Sequence, residues 1–517
     1  MNILKLITIR DDTYNGHATT RWFNPDIAPL PPSRRTWTAL NYLSFWGVAI
    51  ITLGMYGSYL GILIRIILAV VAYAIQAWLG GLCVVCILSS WSYSFFTMVN
   101  TLPESAHMVT RDFVGFVIFH VISVPFMFIR PENARNPVAV ANAITFLVMM
   151  ALCIWATSRG GVGPLIHKGG GYTMMSRSWA WLYGISSSVG GVISGVLNQS
   201  DFTRFAHKQG VQVVGNIFSL LVLGTIIPIF SILTASATVN IYGGDPYWNP
   251  LTIVMQWMTD NYTPGSRAAA FFCSLGLLIS QLAENIYGNA YSGGIDLSGL
   301  FPKYINIRRG CFLCALLSWA VQPWLVFNSA SVFVATMSAF TVFLVPLVGI
   351  MLTDYFIIRK QRIELSQLYT SDPDGAYWFH YGFNWRAILV WIVCFAPGIP
   401  GMINSINPTI QVGSGMTNYF RGNYIYSFIG SVLFYTILMK AFPPKRIGVQ
   451  DDYDVYGTYT EYVAEVKGMV PFKAPVIDGQ ETPIEGEELS AYKVRNPRYV
   501  RHEHDLISPG PTSSYVL

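Results

Sequence analysis

Ala268–Ser292 reads AAAFFCSLGLLISQLAENIYGNAYS, and how this stretch is read decides the fold. Its first half is an apolar helix former. Its second half sets Gln281, Glu284, Asn285, Gly288, Asn289, Ser292 and, a turn further on, Asp296 within roughly 140° of one another at ~100° per residue. A helix needs ~20 apolar residues to cross ~30 Å of hydrocarbon, so the segment is long enough to span a bilayer. Polar side chains at that depth are costly and mark substrate or ion paths. Asn and Gln amides present donor and acceptor together, which suits the edge of a planar heterocycle bearing ring N–H and C=O groups; helix–helix hydrogen bonding is the other role open to them. Glu284 lies near mid-membrane, where a carboxylate needs a partner or a proton. It is a candidate proton carrier, or a further interhelical contact.

Similar runs recur at Trp37–Met55, Tyr59–Leu88, Phe113–Ile129, Val138–Ala156, Trp179–Leu197, Val211–Val239, Cys311–Phe327, Val332–Ile358, Ala387–Asn404 and Tyr424–Phe442. Apolar types make up 53% of the 517 residues and charged types 11%, and the mean hydropathy is +0.44. In lipid every backbone polar group must be satisfied within the chain, so repeated apolar runs mean an all-α integral membrane bundle. The expected organisation is an N-tail over 1–35, a transmembrane transporter domain over 36–442, and a C-tail over 443–517. Asn2–Ile9 is too short an apolar run for a secretory signal, and Arg10, Asp11 and Asp12 follow it. The net charge of +5 is spread over short loops and gives no nucleic-acid face. The CxxC pairs Cys83/Cys86 and Cys311/Cys314 sit in apolar helices without His or carboxylate neighbours, so neither a metal nor a cofactor is expected.

Basic residues choose the side. Arg34 and Arg35, Arg130 and Arg135, Arg204 and Lys208, Lys303 with Arg308 and Arg309, Arg359 with Lys360 and Arg362, and Lys445 with Arg446 occupy alternate loops. The positive-inside rule puts these loops and both termini in the cytosol. The loops near Thr101, Gly161, Asp245 and Val412 are then outside, with Asn261-Tyr262-Thr263 a glycosylation sequon in one of them. Parity conflicts with this at the start, because Trp37 to Leu88 offers two crossings where an odd number is needed. A partial first helix followed by about ten complete crossings resolves it. The tail's acidic stretches, Asp451–Tyr456 and Asp478–Glu488, bury too little apolar surface to fold, so a largely disordered tail is expected, with Lys467, Lys473 and Lys493 open to modification.

Three further sites stand out. Gln76 is the strongly polar residue of Tyr59–Leu88 beyond Arg65, with Ala72, Gly80 and Cys83 on its face and Tyr73 beside it; it binds a ligand or glues helices. Ser186, Ser187 and Ser188, flanked by Gly184, Gly190 and Gly191, either unwind to expose backbone to a substrate or form a small-residue packing face. Asp201 and Arg204, at i, i+3 spacing, suggest an ion pair or gate latch.

Those last residues begin a resemblance. Asn198–Phe205, NQSDFTRF, resembles the N-x-x-D-F-[ST]-R-[FY] signature of the fungal and plant nucleobase–cation symporter family, the uracil, allantoin, uridine and thiamine permeases. Asn289–Gly310, NAYSGGIDLSGLFPKYINIRRG, is similar to that family's block ending in P-[KR]-[YF]-I-N-I-R-R-G, and Asn100–Ala106, Pro346–Tyr355 and Phe383–Ala387 match further. The resemblance implies a leucine-transporter-type fold of two inverted repeats with twelve helices, of which about ten are complete here. It implies substrate bound between an aromatic and a Gln of the family's third helix, its sixth helix, and an Asn of its eighth. Gln76 matches that Gln, Asn285 or Asn289 the Asn, and Phe340 lies near the outer gate. Two departures stand out. The family's Trp four residues before the Gln is Ala72, leaving Tyr73 or Trp78 to supply a stacking surface. Trp46-Gly47 also runs almost directly into Met55-Tyr56, omitting the outer half of helix one and all of helix two.

The expected function is a proton symporter importing a planar nitrogen heterocycle such as uracil, allantoin or uridine across the plasma membrane. A thiamine-type transporter and a non-transporting shortened product are the alternatives. The expected partners are the heterocycle, protons and membrane lipid. The sequence holds no Ser-His-Asp grouping, metal-ligand cluster or phosphate loop that would make it an enzyme.

Overall fold

The structure, a computed structural model, describes residues 19–481 apart from 21–22, 31–33, 40–58, 131–132, 167–175, 198, 208–209, 328–329, 369–372, 473–475 and 478–479. Residues 40–55 of the expected segment Trp37–Met55, Asn198 and Lys208, the tail lysines Lys473 and Lys493, and most of Asp478–Glu488 therefore lie outside the described residues.

Helices dominate: α1 Tyr59–Trp91, α2 Thr110–Phe126, α3 Arg135–Gly160, α4 Arg177–Leu197, α5 Val211–Tyr242, α6 Pro250–Asp260, α7 Pro264–Leu300, α8 Ile307–Leu317, α9 Ala330–Leu352, α10 Trp385–Phe395, α11 Gly398–Ile406 and α12 Asn423–Ala441. Among the described residues seven helices are long and apolar enough to cross a membrane, or eight if α10 and α11, bent by 47° across Ala396-Pro397, form one broken span. The bundle is all-α and of membrane-spanning type.

Local chemistry explains the interruptions. Pro228 has no N–H to return to the turn before it, and α5 carries a π turn at Ser219–Leu223 just upstream. Thr263 and Ser266 form a capping box at the start of α7, with Pro264 in the first helical position. The expected continuous span Cys311–Phe327 does not form. α8 stops at Leu317, a 3₁₀ turn covers Ser318–Val321, Gln322 is left-handed at φ 53°, and a second 3₁₀ turn covers Pro323–Leu325. Pro323 excludes its neighbour from the helical region, which ends the segment early.

Two packing groups result. α1 runs through the first, against α2, α6, α7 and α8, with α3 packed on α5 and α7. α4, α9, α10, α11 and α12 make the second, with α4 laid along α9. Close backbone approach sets both. A Cβ on Gly81 would stand 2.7 Å from Phe116 Cα across the α1–α2 contact.

The tail is described over 443–472, and that part is folded, while residues 482–517 lie outside the described residues. Residues 443–472 are built onto the end of the bundle that carries the basic loops. Asp451 accepts from Leu365 N (2.5 Å), Ser366 N (3.2 Å) and the Ser366 hydroxyl. Asp454 accepts from the backbone N–H of Thr458 (2.9 Å) and Tyr459 (2.7 Å), and Glu461–Val466 forms a short helix. Tyr456 stacks on Phe23 at 5.8 Å, so both tails share one apolar cluster with Ala28, Val455 and Leu365. The acidic residues that make the tail read as disordered are caps and anchors here. Burial pushes the Asp454 carboxyl upward, partly offset by its backbone donors and Arg35. A raised acid favours the docked tail most at low pH and weakens it as pH rises through the raised value. Protease cleavage within 451–466 is accordingly expected to slow as pH is lowered, and to speed several-fold in Asp451→Ala; a tail cut equally fast in parent and variant would contradict this docking.

Candidate functional site

The polar stripe of α7 is where that helix changes geometry. Pro264–Ala283 is α-helical, Glu284–Ala290 is a π turn, and Tyr291–Leu300 is α-helical again. A π turn inserts an extra residue, skews the stripe, and loosens backbone hydrogen bonding where ligands bind. The turn packs against α1, the helix that carries Gln76.

Asn285 is fully buried and Asn289 nearly so, and Asn289 Nδ2 donates to Asn285 Oδ1 at 3.2 Å. That bond leaves the buried Asn285 Nδ2 donor without a partner; the buried Oε1 acceptors of Gln76 and Gln281, and the hydroxyl of Tyr287, also lack one. A buried polar atom without a partner costs ~1–3 kcal/mol, so each of these donors and acceptors on the packed helices α1 and α7 is open to a polar guest. Ser292 is satisfied by Gly288 O at 2.6 Å. Glu284 is half-buried and folds back along its own helix: a Cβ on Gly288 would stand 2.9 Å from Glu284 Oε1.

Tyr73 is fully buried beside α2, its ring 5.8 Å from that of His120. His120 Nδ1 and Nε2 reach Phe116 O (3.0 Å) and Ser318 Oγ (3.1 Å), and Trp319 closes the cluster at 5.0 Å. Trp78 packs with Trp324 at 5.9 Å on the same side.

The serine–glycine stretch stays helical. Ser186 donates to Arg421 O at 2.9 Å, Ser187 is half-buried, and exposed Ser188 donates back to Gly184 O at 2.9 Å. Its glycine face serves the α4–α9 contact, since a Cβ on Gly190 would stand 1.9 Å from Met337 O. Phe340, half-buried on α9, packs into the same α4–α9 cluster.

Asp201 and Arg204 do not pair with each other. Arg204 donates to Asp26 O (2.9 Å) and Ala28 O (3.1 Å) of the N-terminal segment. Asp201 meets Arg65 of α1 at 2.5 Å, and the same Arg65 nitrogen lies 3.0 Å from Asp296 Oδ1 at the end of α7. The short turn holding both residues aims their side chains to opposite neighbours, so i, i+3 spacing did not suffice. Arg65 is the residue that sequence reasoning missed; its signal was being the lone charge in the 33-residue α1. Among the described residues no group of His, Cys, Asp and Glu could hold a metal ion.

The family model described as permease for cytosine/purines, uracil, thiamine and allantoin matches residues 49–426. A thiamine transporter of Saccharomyces cerevisiae is 38% identical over 453 residues, covering 87% of this chain and 74% of its own. A transporter of Aspergillus oryzae is 35% identical, with 86% of this chain and 90% of the relative spread over 556 aligned positions, so the relative carries stretches that this chain lacks. A uridine permease of Saccharomyces cerevisiae is 29% identical, covering 84% of this chain and 77% of its own. Among solved structures, a nucleobase-cation-symport-1 family transporter in a closed conformation with bromovinylhydantoin bound superposes with TM-score 0.53 at 19% identity, covering 82% of this chain and 97% of that one. An all-helical bundle, a polar π turn at its centre and a family match over most of its length agree: this chain belongs to the permease family for cytosine/purines, uracil, thiamine and allantoin.

Proposed function

We propose that the protein is a proton symporter of the plasma membrane, with both termini cytosolic, that imports a small planar nitrogen heterocycle of the nucleobase, uridine or allantoin kind. The observation that carries this is that a buried unpartnered donor, Asn285 Nδ2, and buried unpartnered acceptors, Gln76 Oε1 and Gln281 Oε1, lie on helices packed against each other. Such a set complements ring C=O and N–H groups. Asn289 orients Asn285, Tyr287 supplies a further hydroxyl, and half-buried Glu284 is a carboxylate at the same turn.

A thiamine-type substrate is the second reading. Supporting it are the thiamine transporter at 38% identity and Glu284, whose carboxylate can balance a fixed positive charge on a heteroaromatic ring. Uptake of labelled uracil, allantoin, uridine and thiamine by yeast lacking their own permeases separates the readings. Accumulation of one of them that collapses with an uncoupler supports the proposal. A surface-expressed protein that moves none of them contradicts it and favours a non-transporting role.

A further inference from the structure

Arg386, in the first turn of α10, is 4% exposed, and its Nε and Nη1 are buried with no hydrogen-bond partner. A buried guanidinium calls for an anion, because an unpaired buried charge is far costlier than a buried pair. The buried acid linked to this corner, Asp354 of the π turn Thr353–Ile358, is already held. Its Oδ2 accepts from Arg359 Nε at 2.8 Å and its Oδ1 from the Tyr435 hydroxyl at 3.0 Å. Asn384, at the head of α10, donates Nδ2 to that same hydroxyl at 3.0 Å, so α10 starts without a side-chain cap. The N–H groups of a helix start carry partial positive charge, and side chains of the first turn lean back over them. Guanidinium and helix start together make an anion seat.

The surface around this seat is apolar and aromatic. The Arg386 guanidinium lies 5.0 Å over the half-buried Trp385 indole, which meets the exposed Phe442 edge-on at 5.7 Å. Just before α10 the chain makes a tight knuckle, in which His380 N donates to Phe383 O at 3.2 Å and Phe383 N to His380 O at 2.9 Å. Tyr381 stands at its tip, 89% exposed, and Phe383 is exposed beside it. Further along α10, Leu389, Ile392 and Val393 face outward. Aromatic rings before an outward apolar face are the pattern of a membrane interface. Lys440, exposed in the last turn of α12, adds positive charge at the same end of the bundle.

We propose that Arg386 and the uncapped start of α10 hold the phosphate of an anionic phospholipid in the leaflet at the basic end of the bundle. The guanidinium offers Nε and Nη1 to two phosphate oxygens, the forked geometry that arginine supplies and lysine does not. The Trp385 indole covers the guanidinium and turns aside to admit the head group. Tyr381 and Phe383 flank that head group, and the acyl chains run along Leu389, Ile392 and Val393. A whole lipid fits better than a small free anion, because the exposed side chains adjoining the seat are apolar and aromatic. The site needs only that the bundle spans a membrane and holds whichever solute is carried. It lies in the second packing group, whereas the amides of α1 and α7 lie in the first.

The test uses the full chain in detergent, stripped of lipid, and follows its thermal midpoint as phosphatidylserine, phosphatidylcholine or inorganic phosphate is added. Saturating phosphatidylserine is expected to raise the parent midpoint by about 3 °C, and the other two additions by less than about 1 °C. Arg386→Met is expected to abolish the phosphatidylserine shift. Without lipid its midpoint should equal or exceed the parent's, because an apolar side chain replaces an unpaired charge. If Arg386→Met yields no protein, Tyr381→Ser combined with Phe383→Ser decides, and the phosphatidylserine concentration for half the shift should rise at least about five-fold. A shift of equal size in parent and Arg386→Met, or a half-shift concentration unchanged in the double variant, overturns the assignment. A lipid-free Arg386→Met midpoint several degrees below the parent's also overturns it, since the guanidinium then has its partner within the chain. Inorganic phosphate that reproduces the whole shift replaces the lipid by a small-anion site, and phosphatidylcholine that matches phosphatidylserine removes the charge recognition. No shift in the parent removes the site altogether.

Discussion

Asn285→Ala is expected to lower uptake of the transported heterocycle by about 10- to 100-fold, chiefly through KM, the equivalent of ~1.5–3 kcal/mol of lost hydrogen bonding in a water-poor site. Asn285 is fully buried, its Oδ1 receives the Asn289 amide at 3.2 Å, and its Nδ2 points to no protein partner. Truncation removes the free donor and also releases Asn289 from its orientation. Gln76→Ala, which deletes an unpartnered acceptor on the facing helix, is expected to act in the same direction. Because Asn289 touches Asn285, the double variant Asn285→Ala with Asn289→Ala should cost less than the sum of the singles, whereas Asn285 and Gln76 should combine more nearly additively if each serves the substrate separately. Surface abundance measured beside uptake separates this loss from a folding defect. Normal uptake in Asn285→Ala at normal abundance would remove the site from the π turn.

The second large effect is on the fold. Gly190→Ala is expected to lower the thermal midpoint in detergent by about 5–10 °C or to abolish surface expression, since overpacking of this kind costs ~3 kcal/mol or more. The reason is the carbonyl of Met337, 1.9 Å from where the new Cβ must stand, with its carbonyl carbon at 2.7 Å. Backbone, unlike a flexible side chain, cannot swing aside, so α4 must lift off α9. The neighbour gives the control. Gly191 has nothing within 4 Å of its Cβ direction, and Gly191→Ala should be neutral or stabilising by ~0.5–1 kcal/mol through helix propensity. Equal effects at the two positions would contradict the close helix contact.

These contrasts show what the sequence makes legible. Apolar run length located α1, α2, α3, α4, α5 and α12 to within about four residues, because a crossing is a physical length and a helix turns length into residue count. The stripe Gln281–Asp296 was legible because polarity at bilayer depth is rare, yet its π geometry was not, since no residue type demands the inserted turn. The Gly184–Gly191 stretch was ambiguous for a reason internal to it. The same small residues that weaken a helix let another helix approach, and the position of Met337 decides between them. Arg65 with Asp296, 231 residues apart, is a tertiary fact that no local spacing reveals, whereas Asp201 and Arg204 have the right spacing and different partners. In the described part of the tail acidic composition is a poor guide, because it signals disorder only when the carboxylates face water, and here Asp454 accepts from two backbone N–H groups and Asp451 from two more and the Ser366 hydroxyl.

Equilibrium binding of labelled uracil, uridine, allantoin and thiamine to the purified protein, parent beside Asn285→Ala and Gln76→Ala, goes straight to the claim that amides on α1 and α7 hold the substrate. The account predicts that the parent saturates with one of the four and that each variant weakens that same ligand by about ten-fold or more. Unchanged affinity in both variants would contradict it.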